Sequence, residues 1–152
     1  LDIRDDVFNS TVCVRKGKLY DDLGKPQQAL DIGYDEAIRL DPENITAWFN
    51  KCNTLNFLER YDEAIACSDE AIRLDPEFFG GWHGKSKALT LLGRYEEAIV
   101  HYKKIILLAP EFLPAWSDLG SVLEKVGRYS DAQQCFTKVK ESGNIIFDSR
   151  FR

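Results

Sequence analysis

Apolar residues recur along the chain with helical spacing. In residues 62–74 (DEAIACSDEAIRL), Ala64, Ile65, Ser68, Ala71 and Ile72 fall at i, i+1, i+4, i+7 and i+8, one face of a helix. In residues 46–58, Trp48, Phe49, Cys52, Leu55 and Leu58 form a similar stripe. Turn signals separate the stripes: Gly93-Arg94 and Gly127-Arg128 within pairs of stripes, and Asp-Pro or Ala-Pro between pairs. The pattern predicts pairs of short antiparallel helices, A and B. Neither is long enough to be stable alone in water.

The pairs repeat. Trp48, Trp82 and Trp116 are spaced by 34 residues, as are Tyr61, Tyr95 and Tyr129. Arg60, Arg94 and Arg128, then Ala64, Ala98 and Ala132, then Pro42, Pro76 and Pro110 keep the same interval. The nonapeptide DEAIRLDPE stands at 35–43 and again at 69–77. So many registers with one period mark a repeat architecture. Four places after the tryptophan position (Cys13 in the first unit) lie Gly17, Cys52, Ser86 and Gly120, all small. A glycine inside a helix costs about 1 kcal/mol relative to alanine and is tolerated where backbones approach closely. Helices A and B of one unit are therefore expected to touch at these positions.

These residues resemble the tetratricopeptide repeat (TPR), with its W-x2-L-G-x2-Y…G-R/K-Y…A-x3-F…A…P pattern. Trp116, Leu119, Gly120, Leu123, Gly127, Tyr129, Ala132 and Phe136 carry it in the last unit. Trp48, Leu55, Tyr61, Ala64, Ala71 and Pro76 carry it in the second, and Trp82, Leu89, Gly93, Tyr95, Ala98, Tyr102 and Pro110 in the third. The first unit is weaker, with Gly17, Tyr20, Gly24, Ala29, Tyr34, Ala37 and Pro42. The resemblance implies an all-α, right-handed α-solenoid of about four helix-turn-helix units. Its expected divisions are 10–44, 45–78, 79–112 and 113–144. Residues 1–9 are an N-terminal segment or remnant of a preceding repeat, and 145–152 a tail. The tryptophans are expected in the core, where truncating Trp82 to alanine would cost about 3–5 kcal/mol. In the first unit Gly24 and Ala29 fit a frame starting at 10, but Tyr34, Ala37 and Pro42 fit one starting at 11. One extra residue must be absorbed near Ile32-Gly33, which predicts a π-bulge or local kink.

Composition narrows the function. The 152 residues are 44% hydrophobic and 30% charged, enough for a folded core, with net charge −5. That charge argues against gripping nucleic acid or an anionic membrane. No run approaches the ~18 apolar residues of a membrane span. The start, LDIRDD, is acidic where a secretory leader would be basic, and the expected compartment is cytoplasmic. Cys13, Cys52, Cys67 and Cys135 form no CxxC pair and read as small buried thiols. The chain has no methionine and opens on Leu1, so it is expected to begin inside a longer gene product.

The family resemblance implies that A helices line a concave groove that receives an extended peptide or helix. Helical geometry nominates A-helix residues outside the core stripe. They are Arg15 and Lys18; Thr46, Phe49, Asn50, Asn53 and Phe57; His83, Lys87 and Thr90; and Ser117, Asp118, Ser121 and Lys125. Asn50 and Asn53 lead, because an amide both donates to and accepts from peptide main chain. Binding of heat-shock chaperone EEVD tails is not expected. Asn50 matches the family's clamp asparagine, but Gly80 and Gly84 replace the needed cations, and Asp118 would repel a carboxylate.

Other motifs point nowhere. Gly84-Lys85-Ser86 ends like a phosphate loop, but Phe79 stands where its first glycine belongs and the segment is one helix. His83 and His101 fall in different helix classes and are not expected to share a metal. Acidic pairs Asp62-Glu63 and Glu96-Glu97 suit the positive end of helix B. Asn9-Ser10-Thr11 and Asn44-Ile45-Thr46 match the short glycosylation rule without other signs of secretion. Near the end, Ser142-Gly143-Asn144 reads as a helix stop before the apolar Ile145-Ile146-Phe147. The expected function is a non-catalytic protein–protein interaction scaffold without cofactor or metal. The alternative is a self-assembling structural module that forms a homo-oligomer through its terminal repeats.

Overall fold

The computed structural model describes residues 3–148, with side chains over residues 4–142. Eight helices follow one another among these residues. α1 is Ile3–Asp22. α2 joins three consecutive stretches, α-helical Pro26–Gln28, π-helical Ala29–Tyr34 and α-helical Asp35–Leu40. Then come α3 (Ile45–Phe57), α4 (Tyr61–Leu74), α5 (Phe79–Leu91), α6 (Tyr95–Leu108), α7 (Leu113–Lys125) and α8 (Tyr129–Asp148). Odd-numbered helices are A, even-numbered are B. No described helix is long and apolar enough to cross a membrane.

The π-helical stretch takes up the extra residue of the first unit. Its reason is visible in the packing of α1 on α2. Gly17 lies against the Tyr34 ring, where an added Cβ would stand 2.5 Å from Cε1, and a Cβ on Gly33 would stand 2.3 Å from the Gly17 Cα. The two backbones nearly touch, and the wider turn lets both Gly33 and Tyr34 face Gly17. The same contact recurs with the bulk redistributed. Cys52 Sγ lies 2.9 Å from Ser68 Oγ, and Gly120 accommodates the Phe136 ring.

Two clusters of buried side chains fill the space between helices, one around Leu30, Tyr34 and Leu55, the other around Leu89, Tyr102, Ile105 and Leu123. Ile65 packs against both, so the core runs on from one to the other. The tryptophans are not at its centre. Each is only part-buried. Each indole Nε1 donates to the proline carbonyl six residues earlier: Trp48 to Pro42 (2.9 Å), Trp82 to Pro76 (3.0 Å) and Trp116 to Pro110 (2.9 Å). The amphipathic ring sits at the edge because its N–H needs an acceptor, and the turn between units supplies one. The larger loss expected for Trp82→Ala is lowered accordingly.

One further expectation is corrected. Ser142-Gly143-Asn144 does not stop the last helix, since α8 runs on to Asp148. A lone glycine penalty of about 1 kcal/mol is outweighed where the flanking residues propagate the helix. Residues 3–9 are helical and form the first turns of α1. The side chains of Leu1, Ile3, Ile145, Ile146 and Phe147 lie outside those described.

Candidate functional site

A polar bond joins each A helix to the next. Thr54 Oγ1 of α3 donates to Asp21 Oδ2 of α1 (2.8 Å). Asn56 Nδ2 of α3 donates to the Gly84 carbonyl of α5 (3.1 Å). His83 Nε2 of α5 pairs with Asp118 Oδ2 of α7 (2.9 Å). Among the described residues no side-chain hydrogen bond joins two B helices. Successive A helices are therefore close together, and they form the inner side of the curved stack.

At one end of this inner side is a cavity of about 260 Å³, lined by Asp21, Gly24, Pro26, Asn53, Thr54 and Phe57. Three local features build it. Gly24 ends α1 with φ 68°, a left-handed turn that suits glycine. Pro26 starts α2 in the first helical turn, where its missing N–H leaves nothing unpaired. Asp21 is fixed by Thr54 and by the Tyr34 hydroxyl, which donates to it at 2.6 Å. Burial, and then the bond to Asp21, raises the Tyr34 pKa, so the phenol stays protonated and holds the carboxylate. Phe57 forms the outer wall with 76% of its surface exposed.

The nominated residues divide into groups. Asn53 and Phe57 come together at the cavity. His83 and Asp118 come together as a bonded pair, with His83 also edge-on to Phe112 at 5.2 Å. Phe49 is part-buried edge-on to Phe78 at 5.4 Å. Asn50 and Ser117 are part-buried, and the Asn50 carbonyl accepts from Thr54. Thr90 and Ser121 turn their hydroxyls back onto the Ser86 and Ser117 carbonyls. Arg15, Lys18, Thr46, Lys87 and Lys125 are exposed and are not gathered at the cavity.

Asp21, Thr54, Gly24 and Pro26 were not nominated. For Asp21 a signal existed in the repeat register: Asp21, Asn56 and Thr90 share one position and all are polar. The glycines of GGWHGKS make room for their neighbours: a Cβ on Gly80 would stand 2.6 Å from the Phe78 ring and 3.1 Å from that of Phe49. A Cβ on Gly81 would meet Ile72 Cγ1 at 3.0 Å, and one on Gly84 would meet Cys52 Sγ at 2.5 Å. Asn44 is not a free acceptor for sugar: its Oδ1 accepts from Ala47 N, and its Nδ2 donates to the buried Ser10 Oγ.

Burial pushes the Cys52 and Cys67 thiols up to about 11, which keeps them protonated at neutral pH. Among the described residues no cluster of three or more His, Cys, Asp or Glu is arranged to hold a metal.

Tetratricopeptide repeat profiles match residues 10–44 and 45–78, and residues 89–144. The chain belongs to the tetratricopeptide repeat family. Several solved structures share its fold. A crystal structure of MamA superposes with TM-score 0.84 at 23% identity, over 92% of this chain and 81% of MamA. The Arabidopsis OM64 TPR domain gives 0.74 at 22%, over 78% and 98%. The first TPR of Spaghetti (RPAP3), bound to HSP90 peptide SRMEEVD, gives 0.77 at 22%, over 80% and 98%. A search of curated protein sequences found no match. At these identities the TPR structures establish the shared fold and not a shared ligand.

Proposed function

We propose that this TPR chain is a non-catalytic scaffold that receives an extended peptide or helix of a partner protein along its A-helix side. The observation that carries this reading is the cavity under Phe57. A phenylalanine left three-quarters exposed beside an opening of that size gives a partner's apolar side chain a foothold. Asn53, at the same opening, offers an amide to peptide main chain. We further propose that tails of the EEVD type are not ligands. Gly80 and Gly84 provide no cation, both glycines are buried, and Asp118 is engaged by His83.

The test is a selection of displayed random peptides on the intact chain, followed by affinity measurement on variants. Phe57→Ala, and Asn50→Ala with Asn53→Ala, should each weaken the selected peptide about tenfold or more with unchanged oligomer size in light scattering. Affinity of both variants equal to that of the unaltered chain would contradict the reading. A synthetic peptide ending in EEVD should show no heat of binding.

A further inference from the structure

Resting on the scaffold reading, we propose that the cavity under Phe57 receives a cationic side chain of the partner peptide, an arginine. Among the described residues that line it, Asp21 alone is charged. Lys25, between Gly24 and Pro26, is exposed and is not part of the lining. The Tyr34 hydroxyl (2.6 Å) and Thr54 Oγ1 (2.8 Å) both donate to Asp21 Oδ2. They fix the carboxylate in advance and leave Oδ1 without a partner among the described residues. A wholly apolar side chain that filled the cavity would strip water from this oxygen and leave it unpaired. A guanidinium donates to it, and its weakly hydrated plane stacks on an aromatic ring, here that of Phe57. The apolar foothold on Phe57 is then the methylene stem of the arginine.

The later junctions between units differ from the first in charge. By the repeat register, Phe57 corresponds to Leu91 and Lys125, Asn53 to Lys87 and Ser121, and Pro26 to Tyr61 and Tyr95. Each later junction therefore carries a lysine of its own, Lys87 at the second and Lys125 at the third. Lys125 Nζ stands 5.8 Å from the centre of the Tyr95 ring, so this kind of crevice admits a cation over an aromatic wall. In place of Asp21 these junctions have the uncharged Asn56 and Thr90, which donate to the Gly84 and Ser86 carbonyls. The first junction reverses both features. It has an acid and an aromatic ring, and no lysine among its lining residues.

The cavity is a junction inside the stack and not one of its ends. α1 and the start of α2 form one wall and α3 the other. Asp21 reaches toward α3, as its bond from Thr54 shows. A helix pair stacked before α1 would meet the opposite side of that helix, so more of the same array does not fill this space. The net charge of −5 draws a basic peptide toward the chain. The sign is opposite to that of an EEVD tail.

Random peptides displayed on phage and selected on the intact chain should be enriched in arginine at one position. The best binder that Phe57→Ala weakens is the probe, synthesised once with that arginine and once with citrulline, its neutral isostere. Citrulline should weaken binding to the unaltered chain by about tenfold or more. The same exchange should cost less than about twofold on Asp21→Asn, where the carboxylate that couples to the guanidinium is gone. Phe57→Lys, which gives the first junction the lysine of the third, should weaken the arginine peptide more than Phe57→Leu does, and the citrulline peptide equally. This second comparison holds even where Asp21→Asn fails to fold, because Phe57 is exposed. Probes that carry no arginine, or a citrulline cost equal on the unaltered chain and on Asp21→Asn, would overturn this inference and leave the scaffold reading standing. So would equal effects of Phe57→Lys and Phe57→Leu on the arginine peptide. Selection of no peptide, or only of peptides that Phe57→Ala leaves untouched, would overturn both. Self-association of the unaltered chain that Asp21→Asn abolishes in light scattering would make a second copy the occupant and overturn the inference as well.

Discussion

At the residue scale, the repeat is held by positions where volume is forbidden and by positions where conformation is constrained. Gly33 is the first kind. A methyl there has backbone, not a flexible side chain, as its neighbour. Gly33→Ala should destabilise the chain by about 1–3 kcal/mol, read as a lower urea midpoint with unchanged slope. Glu59 is the second kind. It has φ 60° at the turn where Gly24, Gly93 and Gly127 have 68°, 76° and 78°. The left-handed region costs a side-chain-bearing residue about 1–2 kcal/mol, partly offset by the extra freedom of glycine in the unfolded chain. Glu59→Gly should raise the melting temperature by about 2–4 °C. The strain at Glu59 was legible in the register, because the three related positions are glycine. The tryptophan bonds were not, since a period shows that an indole recurs but not where its N–H points.

At the element scale, the helices depend on partners as predicted for segments this short. The contact of α5 with α6 carries a pH dependence. His101 of α6 stacks on Trp82 of α5, ring centroids 5.3 Å apart. Burial, and then the charge of Lys85, hold the imidazole below its ordinary range, against the opposite pull of Asp69 and Glu97. The unfolded chain then binds the proton more readily than the folded one. Stability is full above the ordinary histidine value of about 6.5 and falls as the pH drops through the folded value. Chemical denaturation at a series of pH values should show that decline, and His101→Gln should flatten it. Apolar spacing made all eight helices legible, and the two competing frames in the first unit pointed at the π-helical stretch of α2. Spacing failed at Ser142-Gly143-Asn144, where residues that favour a stop were overruled by the helix they interrupt. Turn chemistry is a local preference, and continuation of a helix is cooperative.

At the scale of the whole molecule, successive A helices linked by Thr54, Asn56 and His83 create one inner side. Of the nominated groove residues, Asn53 and Phe57 meet at the cavity. Helical geometry could place them on the right helix, but not foresee the wall that Asp21, Gly24 and Pro26 add from the neighbouring unit.

The most direct measurement is a two-dimensional amide NMR spectrum of the labelled chain, recorded with and without a peptide selected on the intact protein. The account predicts the largest shifts at Gly24, Asn53, Thr54 and Phe57, with α4 and α6 little changed. Shifts concentrated on α4 and α6 instead, with the cavity residues unmoved, would contradict it.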